Sequence, residues 1–147
     1  MTSPGPFSLR IAHKTAAQPD AVFAAFTDPE QLMNWWGPPG FTAPSAEVDL
    51  RVGGAYRLEM QAPDGDHMFV KGAFREILPP RRLVMTWEWE QTSMDGEVST
   101  VTIEFRRRGK GTEIDLIHEG FSSEDVGARH QSGWEGCLAS LDAHLAA

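Results

Sequence analysis

At 147 residues and 16.2 kDa the chain has the length of one domain, 1–147 with a core of about 7–145, and its 41% hydrophobic against 23% charged residues excludes disorder, collagen and coiled coil as the main architecture. Thirteen Lys and Arg against 21 Asp and Glu leave a net charge of −8, a field that repels nucleic acid and anionic membranes rather than collecting them. The single cysteine, Cys137, excludes an intramolecular disulfide and a cysteine-based zinc cage, and a reducing compartment is the default.

Met1 to Pro6 carry neither a basic start nor an apolar run, and the longest apolar stretch, Ala21 to Phe26, is too short to span a bilayer. The expectation is a cytoplasmic protein with no membrane insertion. Phe7 to Lys14 alternates Phe7, Leu9 and Ile11 with polar or small residues, which predicts a first strand. Pro19-Asp20 opens a helix at Ala21 with Val22, Phe23 and Phe26 on one side, and Asp28-Pro29-Glu30 opens a second with Leu32, Met33, Trp35 and Trp36. Gly37-Pro38-Pro39-Gly40 reads as the loop that follows.

From Ala46 to Glu119 turn signals recur at Gly53-Gly54, Pro63 to Asp66, Pro79-Pro80, Met94-Asp95-Gly96 and Arg108 to Gly111, which predicts successive hairpins. Leu83, Met85, Trp87 and Trp89 alternate with Val84, Thr86, Glu88 and Glu90, and Val101, Ile103 and Phe105 alternate with threonine and glutamate. One apolar face and one wet face mark an antiparallel sheet covered on one side. The cover is the C-terminal segment: after Ser122-Ser123-Glu124-Asp125, the residues Val126, His130, Trp134, Cys137, Leu138, Leu141 and Leu145 recur at three and four. The fold class is therefore α+β: a curved antiparallel sheet of about six to seven strands around one long C-terminal helix, with two short helices after the first strand.

Pro29-Glu30 leading to Trp35-Trp36-Gly37-Pro38, then Asp49 to Gly54, Thr86-Trp87, His118 to Phe121 and Gly133-Trp134 together resemble the bacterial family named after the activator of the heat-shock-protein ATPase. That family is part of the helix-grip (SRPBCC, START-like) superfamily, which also holds steroidogenic-acute-regulatory lipid-transfer domains, the birch-pollen allergen and polyketide cyclases. The resemblance implies an apolar cavity between helix and concave sheet, used across the superfamily for lipids, sterols or polyketides. It also implies a chaperone partner as a further reading. In the eukaryotic co-chaperone the homologous region is joined to a separate domain that contributes to chaperone binding, and 147 residues leave no space for one.

Five tryptophans, three of them (Trp87, Trp89, Trp134) on inward faces, serve either core packing or a ligand wall. Gly127, Gly133 and Gly136 on the last helix either leave empty volume or let helix and sheet approach closely. His118 shares parity with Ile114 and Leu116, and His130 stands one turn before Trp134; the two are the candidates for acid–base work or for orienting a ligand carbonyl. Each is equally explained by a backbone carbonyl or a neighbouring carboxylate as partner. Tyr56, with Leu58 and Met60 in the apolar set, offers a hydroxyl to the pocket or to backbone, and Met33, Met60, Met68 and Met85 an adaptable lining or gap-filling.

The expected lining is Trp35, Trp36, Tyr56, Met85, Trp87, Ile103, Leu116, His118, His130 and Trp134. No nucleophile motif, metal-ligand spacing or phosphate loop is present, so neither a metal nor another cofactor is expected, and Cys137 reads as a small hydrophobe. Arg106-Arg107-Arg108 with Lys110 reads as a solvated hairpin tip. Three functions are open: binding of a small hydrophobic or amphipathic molecule, a cyclase- or hydrolase-like enzyme using the cavity histidines, and a co-chaperone-like interaction module. An edge strand or the Trp35-Trp36 loop leaves a homodimer open.

Overall fold

The computed structural model describes residues 5–90 and 97–146, so the Met94-Asp95-Gly96 turn lies outside the described residues. Strand β1 (Phe7–Thr15) is followed by helices α1 (Pro19–Thr27) and α2 (Pro29–Trp35). Strands β2 (Ala46–Val48), β3 (Ala55–Gln61), β4 (His67–Leu78), β5 (Arg82–Trp89), β6 (Ser99–Arg108) and β7 (Gly111–Phe121) then lead to helix α3 (Glu124–Ala146). All pairings are antiparallel and form one seven-stranded sheet in the order β1-β7-β6-β5-β4-β3-β2. Each strand of the meander neighbours the next, and β1 closes the far edge beside β7.

Period-two patterning decides the faces. Along β5, Leu83, Met85, Trp87 and Trp89 are buried while the residues between them are half-buried, and on β6 Ser99, Val101, Ile103 and Phe105 do the same. The outer face has one departure from the wet-face expectation: Asp115 on β7 is buried there, held by two bonds from Arg10 (3.0 and 2.8 Å) and one from Arg106 (3.3 Å). The paired guanidinium of Arg10 lowers the Asp115 carboxyl below its usual range, and burial opposes this.

Proline at the first helical position starts both short helices, and the Asp28 side chain accepts from the Glu30 amide at 3.1 Å to cap α2. This second helix is two turns long. Leu32 and Trp35 face the core, Met33 is exposed, and Trp36 is the extended C-cap (φ −62°, ψ 127°) rather than a helical residue. Gly37 (φ +111°) and Gly40 (φ +91°) take left-handed conformations that favour glycine and fold the loop back toward α3.

Ser123 Oγ accepts from the Val126 amide at 3.2 Å and starts α3. The inner face of this helix buries Val126, Trp134, Cys137, Leu138 and Leu141 in the same core as the inward sheet residues. Among the described residues no helix is long and apolar enough to cross a membrane, and no cluster of three or more His, Cys, Asp or Glu could hold a metal ion.

Candidate ligand cavity beneath the C-terminal helix

Between α3, the inner ends of β3 and β5, and the loop after α2 lies a cavity of about 190 Å³. Helix α3 supplies Arg129, His130, Gly133, Trp134 and Cys137; the sheet supplies Met60, Trp87 and Trp89; the loop supplies Trp36 and Pro38. On α3 these residues form two adjacent stripes at helical spacing, 129/133/137 and 130/134. Exposed Arg129 and half-buried Pro38, His130 and Gly133 mark the mouth, and buried indoles form the walls.

The tryptophans are linked ring to ring. Trp36, Trp87 and Trp134 form a triad with centroids 5.9, 5.7 and 5.1 Å apart, and Trp89 stands at 88° to Trp87 at 5.6 Å. The triad also borders a second void of about 20 Å³ whose remaining wall includes Tyr56, Leu58, Phe74 and Met85. It is therefore a partition, with the larger cavity on one side and a gap in the core on the other.

Both histidines stand against this partition, with ring centroids 5.1 Å apart. His118 is fully buried, and Trp134 Nε1–H donates to its Nδ1 at 3.0 Å. An indole nitrogen can only donate, so Nδ1 carries the lone pair and Nε2–H faces Ser99 Oγ at 2.7 Å. The Ser99 hydroxyl in turn donates to the Trp87 carbonyl at 3.4 Å. Burial, with a smaller electrostatic contribution from neighbouring His130, lowers His118 from 6.5 to about 2, so the ring is neutral at ordinary pH. His130 is built in mirror fashion: its Nε2 accepts from Trp89 Nε1–H at 3.0 Å, leaving Nδ1–H to donate to the Val126 carbonyl at 2.9 Å.

The three helix glycines separate into different roles. A Cβ on Gly136 would stand 2.8 Å from Pro38 Cβ, so that glycine permits the loop to approach α3 closely. A Cβ on Gly127 would make ordinary contact, 3.4 Å from the Phe121 ring. At Gly133 a Cβ would meet nothing within 4 Å, so its missing side chain leaves open space on the cavity wall.

Of the ten expected lining residues, the cavity brings together Trp36, Trp87, His130 and Trp134. Tyr56 and Met85 lie beyond the partition, where the Tyr56 hydroxyl donates to the Thr86 carbonyl at 2.5 Å and burial raises its pKa. Trp35 is buried behind the loop with its Nε1–H on the Ala25 carbonyl at 2.9 Å. His118 lies behind Trp87 and Trp134, and Ile103 and Leu116 are fully buried core residues away from the cavity. Pro38, Arg129 and Cys137 line it without having been expected to. Helical spacing from Gly133 could have found Arg129 and Cys137; for Pro38, no periodic signal exists in a loop. Burial pushes the Cys137 thiol up to about 12, with the Gly37 amide opposing, so it stays protonated.

Sheet, gripping helix and internal cavity define a helix-grip α+β protein. Residues 16–146 match the family model described as Activator of Hsp90 ATPase homolog 1-like protein, and the chain belongs to that family. Its fold is similar to the AHSA1 protein of Silicibacter pomeroyi, with TM-score 0.84 and 29% identity over 95% of this chain and 98% of that one. A protein from Chromobacterium violaceum is equally similar, with TM-score 0.85 and 29% identity over 94% and 96% of the two chains. CalU16 from Micromonospora echinospora matches with TM-score 0.72 and 28% identity over 93% of this chain and 74% of its own. No curated protein matches the sequence.

Proposed function

We propose that the protein binds one small, flat, apolar molecule in the tryptophan-walled cavity beneath α3. The observation that carries this reading is the open space at Gly133. A glycine inside a helix costs about 1 kcal/mol relative to alanine, and here no close approach accounts for it. Four indoles then surround volume that no side chain fills.

Size narrows the class. A cavity of roughly 150 Å³ accepts benzene, whereas drug-sized pockets run from about 300 Å³ upward. The about 190 Å³ found here suits one ring or two fused rings better than a sterol or a lipid chain. Binding is favoured over acid–base turnover, because the lone pair of each imidazole already accepts from an indole and each ring proton has its own acceptor.

The test is a titration with indane followed by tryptophan fluorescence, in the wild type and in Gly133→Leu. Saturable quenching is expected in the wild type and its loss in the variant, whose side chain enters the space beside residue 133. Equal binding by both, or none by the wild type, removes the reading.

A further inference from the structure

The tryptophan partition is not held equally at every point. Three of the five indoles are pinned through their N–H groups: Trp35 to the Ala25 carbonyl, Trp89 to His130 and Trp134 to His118. Among the described residues, Trp36 Nε1 and Trp87 Nε1 have no acceptor, and both atoms are buried, so neither opens on the cavity. A buried donor without an acceptor costs about 1–3 kcal/mol, because it has left water without a replacement. Trp87 belongs to β5, which is paired on both sides, by β4 and β6. Trp36 only caps α2 at the start of the loop, and its ring rests on packing against Trp35, Trp87 and Trp134.

Trp36 also borders three spaces. These are the cavity of about 190 Å³, the void of about 20 Å³ and an open surface groove of about 800 Å³, whose lining includes Met33, Pro39, Phe41 and Ala143. We propose that Trp36 sets the length of the guest: its side chain turns out into the groove, and a guest made of two apolar rings on a short flexible link extends past the partition. This rests on the reading that the cavity binds a small ring compound, and it adds a second, longer class. One ring fills the resting cavity, and the other takes the place of the indole against Trp87 and Trp134 and reaches the wall of Tyr56, Phe74 and Met85. That wall asks for no polar group, since the Tyr56 hydroxyl already donates to the Thr86 carbonyl. Turning out gives the Trp36 N–H water and lays the ring on Met33 and Phe41, which offsets part of the cost of leaving the core. The backbone can stay in place, its N–H on the Leu32 carbonyl at 2.9 Å, because only side-chain torsions change. The vacated room joins cavity and void into one chamber, a step toward the class of about 300 Å³ and above.

The probes are indane, which fits the resting cavity, and bibenzyl, two phenyl rings on a two-carbon link. Titration of ¹⁵N-labelled protein reads both affinities, and exchange of the Trp36 indole proton with water reads where its ring lies. The expected result is binding of both. The Trp36 proton stays protected in the free and indane-bound protein and exchanges once bibenzyl is bound, while those of Trp35 and Trp134 stay protected throughout. In Trp36→Ala no ring has to be displaced, so bibenzyl binds tighter, on the order of tenfold for an open state otherwise populated at about 10%, and indane gains nothing. Should that variant fail to fold, proton exchange in the wild type decides. A Trp36 proton that bibenzyl leaves protected, indane binding without bibenzyl binding, or an equal change for both probes in Trp36→Ala overturns the proposal while the cavity reading stands. Absence of indane binding to the wild type overturns both.

Discussion

The interface between α3 and the sheet is built differently at its two ends. Toward the C-terminus of α3, Leu138 and Leu141 share the core with Ile103, Ile114 and Leu116, and Phe23 and Phe26 of α1 meet Phe105 edge to face at 5.5 and 5.6 Å. Toward the N-terminal half, the same helix meets Trp36, Trp87 and Trp89 and contributes Trp134, His130 and Gly133. Branched aliphatic chains interdigitate in three dimensions and carry no polar hydrogen, so the first end packs densely. Rigid planar indoles meeting at 41° to 88° touch in tilted and edge-on pairs, and every one brings an N–H that needs a partner. One end is a core; the other is a chamber walled by indoles.

The strongest way to break the contrast is to hollow out the closed end. Leu116→Ala or Leu141→Ala, both fully buried, should each cost about 2–5 kcal/mol, measured as a lower urea midpoint with unchanged slope. A loss below 1 kcal/mol would mean that the closed end also contains slack.

The second test concerns His118, the polar plug behind the triad. Its folded pKa of about 2 lies below the ordinary value of 6.5, so between these limits the unfolded chain binds the extra proton. Stability from this group is therefore complete above pH 6.5 and falls as the pH drops, by about 1.4 kcal/mol per unit. In denaturation series at pH 7, 6 and 5, His118→Gln should lack that part of the slope. Parallel slopes in variant and wild type would show that the ring accepts a proton while folded.

Smaller effects distinguish the glycines. Gly133→Ala should stabilise by about 1 kcal/mol, because its Cβ enters open space. Gly136→Ala should lose that gain against Pro38, whose Cβ would lie 2.8 Å away. Thermal melts read both, and a shared direction would remove the distinction between chamber and close approach. The smallest effect is at Cys137: with its thiol pushed up to about 12 by burial, it should resist iodoacetamide at pH 8 when folded and react once urea unfolds the chain.

Much of this architecture is written in local pattern. The alternation Leu83, Met85, Trp87, Trp89 is enough to orient β5, and the recurrence of Val126, Trp134, Cys137, Leu138 and Leu141 to orient α3. Parity names a face, yet it carries no information about position along the element or about what stands opposite. Ile103, Leu116 and His118 are inward as read, and all three lie outside the cavity, because the chamber occupies only the end of the interface where α3 meets β5 and the loop. Trp36 reads as helical because Leu32 and Trp35 precede it at helical spacing; the left-handed Gly37 ends that run and turns its ring into the partition.

Thus the sequence by itself determined the order of strands and helices, the inward faces and the gripping helix, since each depends on spacings of two, three and four along the chain. Tertiary structure alone decided which glycine leaves a space and which indoles lack acceptors. Those properties belong to groups far apart in sequence, such as Gly136 against Pro38 and Trp134 against His118, and they exist only once the sheet has curved and the helix has docked.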